Sequence, residues 1–154
     1  MSKIRAAITA VEGYVPDYIL TNDELSKMMD TSDEWIMTRI GIKERRMLKE
    51  EGKATSDMAA IAVQNLLKNN NIDPKDIDGV ICCTVTPDMH FPATASIVAD
   101  KCGIHGGMSM DMNVGCSGFI YGLKTASLYI ESGFCKKLLL IGAEKMTSAI
   151  DYQD

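Results

Sequence analysis

Cys116 lies in the run Asp111-Met112-Asn113-Val114-Gly115-Cys116-Ser117-Gly118-Phe119, where a strand-like pattern gives way to a helical one. A strand ending near Asn113 would deliver Cys116 to the first turn of the helix that follows. The free amide groups of such a turn favour the thiolate over the thiol, and the thiolate is the nucleophilic form. The chemistry expected of that placement is covalent acyl transfer. The sequence supplies no evident base to accompany it.

The other cysteines are Cys82, Cys83, Cys102 and Cys135. All four read as small apolar core residues in a reducing compartment. Five cysteines without a CxxC pair, beside only two histidines, do not reach the ligand spacing of a zinc site, so no metal is expected.

The elements that must position Cys116 are legible from periodicity. Residues 3–11 read as a strand, followed by a turn around Gly13 and Pro16. Thr21 with Glu24, and Thr31 with Glu34, each match a capping box at the head of a short helix, the second ending at Gly41. The charged stretch from Lys43 to Lys53 reads as a mostly surface-exposed loop. A helix is expected from Ser56 to the Asn69-Asn70-Asn71 cluster. Residues 80–85 form an apolar, β-rich run of the kind covered on both faces. A helix over 93–102, a strand over 107–113, a helix over 116–132 and a strand over 137–141 follow. This alternation predicts an α/β fold with a mixed, mostly parallel sheet and helices on both faces.

The helix after Cys116 carries Gly115, Gly118 and Gly122 on one side. Each Gly inside a helix costs about 1 kcal/mol relative to Ala, so close approach of another backbone, that of a second helix, is expected there. Phe119, Leu123, Ala126 and Ile130 form a second apolar stripe. A helix this apolar needs burial on most sides, and few elements are visible to provide it.

The 154 residues are 46% hydrophobic and 24% charged, with a formal charge of −5. That suits one respectable core. No apolar run approaches the roughly 20 residues of a membrane span. No basic stripe suggests nucleic acid as a partner. The opening Met1-Ser2-Lys3-Ile4-Arg5 lacks the apolar segment of a secretory signal, so a cytoplasmic location is expected.

The segment Asp30-Thr-Ser-Asp-Glu-Trp-Ile-Met-Thr-Arg-Ile-Gly-Ile-Lys-Glu-Arg-Arg46 closely resembles the signature of the β-ketoacyl-acyl-carrier-protein synthase III family. Asn113-Val-Gly-Cys-Ser-Gly-Phe119 is similar to the nucleophile turn of that family, and Asp17 to Asn22 and His90-Phe-Pro92 also fit. The resemblance runs from about Ile4 to Asp154. It implies a thiolase-like fold of two similar halves, of which residues 1–154 would be the N-terminal half-domain. The family's catalytic histidine and asparagine, and the glycine completing its oxyanion hole, belong to the second half, absent from this chain. Neither His90 nor His105 fits that histidine.

What the resemblance implies for function is a two-stage reaction. Cys116 takes the acyl group of a short acyl-CoA. Malonyl-acyl-carrier protein then loses carbon dioxide, and its carbanion attacks the acyl-cysteine to start fatty-acid synthesis. CoA is a substrate, no cofactor is permanently bound, and the enzyme is expected to be a homodimer. The isolated chain is expected to be inactive in condensation.

The resemblance also assigns further residues. Trp35 matches the platform for the CoA adenine, with Thr31 beside it. By residue type alone, Trp35 beside Ile36 and Met37 reads more readily as a core aromatic; its polar N–H handle suits the platform role that the resemblance implies. Arg39 matches a residue near the CoA phosphates; unaided, it reads as a cation at a helix C-terminus. Lys43 stands where the family often has arginine, which keeps the charge and loses the fork. Phe91 resembles the residue that reaches across the dimer into the partner's acyl pocket, or is a plain loop aromatic beside Pro92. Met146 matches an acyl-pocket position where leucine is more familiar. Two other readings remain open at this point: a non-catalytic assembly module, with a dimer contact near Cys82, Cys83 and Phe91, and a polyketide-type condensing enzyme.

Overall fold

A computed structural model describes residues 4–150; Lys3, which opens the first predicted strand, and residues 151–154 lie outside the described residues. In chain order the elements are β1 (Ile19–Thr21), α1 (Asn22–Leu25), α2 (Asp33–Ile40), β2 (Glu44–Arg46), α3 (Thr55–Asn69), β3 (Gly79–Cys83), α4 (Thr94–Lys101), β4 (Met108–Met112), α5 (Gly118–Glu131) and β5 (Leu138–Gly142). Three short 3-10 turns cover Pro74–Asp76, Gly115–Ser117 and Met146–Ser148. The chain divides into two compact units: residues up to Tyr14 with Ala54–Glu144, and Val15–Lys53 with the residues from Lys145.

The larger unit is built on a three-stranded parallel sheet in the order β4-β3-β5. Parallel strands need a crossover between them. Here α4 lies between β3 and β4 in sequence, and α5 between β4 and β5. Central β3 is buried along its whole length. Its side chains alternate between the two faces, as any strand's must. Val80 and Cys82, with Leu139 and Ile141 of β5, join one core with Ala59, Ala60 and Val63 of α3 and Ala95 and Val98 of α4. Val80, Ile81 and Cys82 are fully shielded from solvent; burying a Val or Ile side chain stabilises by roughly 1.5–3 kcal/mol. Because β3 is the middle strand, the contact between copies proposed near Cys82 and Cys83 has no free strand edge there. Among the described residues, the edges of this sheet are β4 and β5.

At the amino end of the sheet, Asp78 joins β3 to both neighbours. Its carbonyl accepts from the Met108 N–H at 3.2 Å and its own N–H donates to the Lys137 carbonyl at 2.8 Å. Its carboxylate accepts from the N–H groups of Lys136 at 2.6 Å and Lys137 at 2.9 Å. Those amides, Lys137 first, hold the Asp78 carboxyl below the ordinary carboxylate range.

The smaller unit pairs β1 with β2 antiparallel, Leu20 opposite Arg45. Thr21 caps α1 by accepting from the Glu24 N–H at 3.2 Å. Ser32 caps α2, accepting from the Trp35 N–H at 3.1 Å, and Gly41 ends it at φ 69°. The cap thus falls one residue beyond Thr31, because the Ser32 hydroxyl is the one that reaches the third helical amide.

Three expectations are corrected. Residues 4–11 form no strand: Ile4, Ile8 and Val11 are 54, 67 and 81% exposed. Their β-forming side chains find no ladder partner among the described residues, and the three-stranded sheet is formed without them. Conversely, Glu44–Arg46 is a strand inside the stretch read as a loop; it pairs through its backbone, which charge content does not reveal. Finally, among the described residues the glycine side of α5 meets the sheet and not a second helix. A Cβ at Gly118 would lie 3.3 Å from the Cβ of Cys83, and one at Gly122 would lie 2.6 Å from its Sγ and 2.7 Å from Leu140 Cδ1. The bare side lets α5 settle directly on β3 and β5.

Candidate active site

All three parallel strands end at the same edge, where ligand sites of open α/β sheets form. The Thr84 N–H donates to the Met112 carbonyl at 3.1 Å and the Ala143 N–H to the Cys83 carbonyl at 3.3 Å, so the strand ends stay in step. From β4 the chain passes through Asn113 and Val114 into the 3-10 turn that holds Cys116. Gly115 turns the chain with φ +58°, a conformation side chains disfavour. Cys116 is exposed, while Cys82, Cys83, Cys102 and Cys135 are buried, and all five are free thiols.

The first-turn placement of Cys116 needs adjustment. Regular α-helical bonding begins only at Gly118, so Cys116 precedes α5 within the 3-10 turn. The reason is local: the left-handed step at Gly115 tightens the entry into a 3-10 turn before the helix can propagate.

Burial separates the remaining thiols chemically. It pushes Cys82 up to about 12, with the Asp111 carboxylate adding to the effect. Burial pushes Cys102 up to about 11, and it also raises Cys83 and Cys135. Buried thiols that resist ionisation are inert.

Two carboxylates hold the frame around this edge. Asp111 of β4 accepts from the N–H groups of Thr94 at 2.7 Å and Ala95 at 2.8 Å, tying the start of α4 to the strand that leads to Cys116. Glu144, just past β5, accepts from the Val85 N–H at 2.8 Å, the Thr86 N–H at 3.1 Å and the Thr86 hydroxyl at 2.6 Å. It also accepts from the Thr84 hydroxyl at 3.2 Å. The Thr55 hydroxyl donates to the Thr86 carbonyl at 2.5 Å, and Asp88 accepts from the Ser56 N–H at 2.8 Å. The loop leaving β3 is therefore pinned before it reaches Phe91, which is 87% exposed. Asp111 and Glu144 were not singled out from sequence. The available signal was a carboxylate inside or directly after an apolar strand, a position a charge occupies only with partners.

The smaller unit carries the other candidates. On α2, Ile36 is 4% exposed and anchors the helix, whereas Trp35 is 56% exposed. The Arg39 guanidinium sits 5.7 Å from the centre of the Trp35 ring. One turn apart, the two present a flat aromatic face and a cation together. The core reading of Trp35 is thus overturned within its unit. Thr31 is half-buried just before α2. Met146 lies in the last 3-10 turn at 48% exposure. Cys116 and Phe91 belong to the larger unit, and Thr31, Trp35, Arg39 and Met146 to the smaller.

A parallel sheet with an exposed cysteine turn at its carboxyl edge fits a thiolase-like chain. Solved structures agree. A 3-oxoacyl-[acyl-carrier-protein] synthase III from Thermus thermophilus superposes with a TM-score of 0.90 at 42% identity, over 97% of this chain and 46% of that one. The corresponding structure from Aquifex aeolicus gives a TM-score of 0.87 at 43% identity, over 95% of this chain and 48% of that one. The 3-oxoacyl-[acyl-carrier-protein] synthase III family matches residues 110–154. A β-ketoacyl-[acyl-carrier-protein] synthase III of Phocaeicola vulgatus is 54% identical over 154 residues, all of this chain and 46% of that protein. Along its length the chain is similar to the N-terminal half of β-ketoacyl-acyl-carrier-protein synthases III, and it spans about half the length of the curated relatives it matches.

Proposed function

We propose that this chain is the nucleophile-bearing half-domain of a 3-oxoacyl-acyl-carrier-protein synthase III, an acyltransferase that condenses a short acyl-CoA with malonyl-acyl-carrier protein. The observation that carries this reading is the single exposed thiol, Cys116, at the carboxyl edge of a parallel sheet. The likeness to β-ketoacyl-acyl-carrier-protein synthases III supplies the reaction class.

In the first stage the Cys116 thiolate attacks the thioester carbonyl. A Cys116 Sγ–carbon bond forms, the carbon–sulfur bond to CoA breaks, and CoA leaves as a thiolate that takes a proton. The Cys116 N–H supplies one donor to the oxyanion. In the second stage malonyl-acyl-carrier protein loses carbon dioxide, and the carbanion attacks the acyl-cysteine, releasing Sγ. Stabilising that enolate is electrostatic work for a histidine and an asparagine, which the relatives' remaining length would supply.

Trp35 would stack on the CoA adenine and Arg39 would face its phosphates, with Thr31 beside the ring. The exposure and pairing of Trp35 and Arg39 support this reading. Met146 would line the acyl pocket. Phe91, far out in solvent, would reach into the pocket of a second copy in a homodimer. The half-exposed edge of β4, with Met108, Met110 and Met112, would supply a backbone ladder for that dimer. No permanently bound cofactor enters the scheme, and the reaction would run in the cytoplasm.

Mass spectrometry after incubation with acetyl-CoA tests the first stage. One acetyl group on Cys116, absent from Cys116→Ala, supports the reading; acetylation elsewhere, or equal labelling of both proteins, contradicts it. The chain alone is expected to give no 3-oxoacyl-carrier protein from malonyl-acyl-carrier protein, and steady formation of that product would overturn the assignment to a half-domain.

A further inference from the structure

We propose that Asn22 is the positioning residue of the Trp35–Arg39 face, fixing both ends of α2 with one carboxamide; this rests on the reading of that face as a CoA nucleotide platform. Asn22 is 2% exposed. Its Nδ2 donates to Asp33 Oδ1 at 2.7 Å and to the Ile42 carbonyl at 2.8 Å. Its Oδ1 accepts from Arg45 Nη1 at 2.8 Å. Asp33 is the first residue of α2, and Ile42 follows the Gly41 that ends it. Arg45 lies in β2.

An amide nitrogen has two hydrogens, and here each is spent on a different end of the same helix. The two ends are therefore tied to one planar group whose rotation is blocked by Arg45. Between them, Ile36 fastens the inner side, and Trp35 and Arg39 stand on the outer side. An eight-residue helix has too few internal hydrogen bonds to stay ordered alone. The orientation of its aromatic ring depends on what holds its ends. The side chain of Asn22 bonds to Asp33, Ile42 and Arg45 and not to the Trp35 ring or the Arg39 guanidinium; it acts through α2.

Asn22→Asp keeps the shape and removes both donors, setting oxygen against Asp33 and the Ile42 carbonyl. Asn22→Ala removes the tie altogether. Trp35 is the one tryptophan of the chain, so intrinsic fluorescence reports on α2 directly. The whole chain and each variant are titrated with CoA and with adenosine 3′,5′-bisphosphate, following Trp35 quenching and ligand-free Trp35 anisotropy. Both variants are expected to bind CoA about tenfold more weakly, the equivalent of one charge-assisted hydrogen bond, and to show lower anisotropy. The rate of Cys116 alkylation, read in the other unit, is expected to stay within about twofold of the parent rate, unlike in general unfolding. Adding Asp33→Asn to Asn22→Asp restores one donor–acceptor pair and recovers part of the affinity, which a loss of stability would not. Should the Asn22 variants fail to fold, Arg45→Met, which frees the carboxamide to rotate, carries the same readouts. Parent-like anisotropy and CoA affinity in a folded variant overturn the proposal. If the parent chain itself does not bind CoA, the platform reading fails, and ligand-free anisotropy still decides the role of Asn22.

Discussion

The sulfur of Cys83 occupies the place a side chain at residue 122 would need: a Cβ on Gly122 would lie 2.6 Å from it. Cys83 faces α5 from the centre of the sheet, and Gly118 closes in on its Cβ from one turn earlier. The thiol is wedged between two glycines, and α5 owes its seat on β3 to that pairing.

Gly122→Ala is therefore expected to destabilise the chain by about 1 kcal/mol. Overpacking costs about 1–3 kcal/mol, while Ala gains about 1 kcal/mol in helix propensity. Leu140 has a flexible end that can move aside; Cys83 has little room. Urea denaturation of Gly122→Ala with and without Cys83→Ala checks this. The double variant should recover most of the loss, and a gain in stability from Gly122→Ala alone would refute the wedge.

Alkylation should distinguish the thiols. At pH 8, a thiol pushed up to about 12 holds only about one part in ten thousand as thiolate. Iodoacetamide on the folded chain should label Cys116 alone, and all five cysteines in denaturant. Peptide mapping reads the result; native labelling of Cys82 or Cys102 would contradict the packing of β3 against α3 and α4.

The acid limb of stability should depend on Asp78. Its carboxyl is held below the ordinary range by the N–H groups of Lys137 and Lys136. A depressed carboxyl contributes stability that is complete above its unfolded pKa, about 3.9, and lost as pH falls through the lower folded value. Urea midpoints from pH 6 down to pH 2 should fall for the parent chain and fall less for Asp78→Asn. The contribution at neutral pH is about 1 kcal/mol, discounted for solvent exposure.

Glu144→Ala should free the loop that leaves β3. The Val85 amide loses its carboxylate partner, and its hydrogen exchange is expected to rise roughly tenfold. Amides of Lys136 and Lys137, held by Asp78 at the other end of the sheet, should not change. Exchange followed by mass spectrometry tests both halves of that statement.

The α/β alternation was legible because buried parallel strands announce themselves as apolar runs: Val80 to Cys83 and Leu138 to Ile141 fall where expected. Short strands without such a run were not. Glu44–Arg46 pairs through its backbone, and nothing in three charged side chains signals it. Residues 4–11 show the reverse, a correct β pattern without a partner strand among the described residues. In the candidate site, Cys116 was visible from its turn. The Asp111 and Glu144 clamps were not, since their partners are main-chain amides distant in sequence. Asn22 was legible only as part of a motif, because its three contacts span from 11 to 23 positions along the chain.

The Glu144 clamp also bears on how freely the loop beyond β3 can be rewritten. At Val85 the carboxylate grips an N–H, which every residue except proline provides. Side-chain identity at Val85 is thereby uncoupled from the path of the loop, and at Thr86 a hydroxyl adds a second hold without replacing the first. A library that varies Val85 and Met89 while keeping Glu144 would sample new surfaces on an unchanged backbone. The tolerance of this segment is thus set by a residue some sixty positions away.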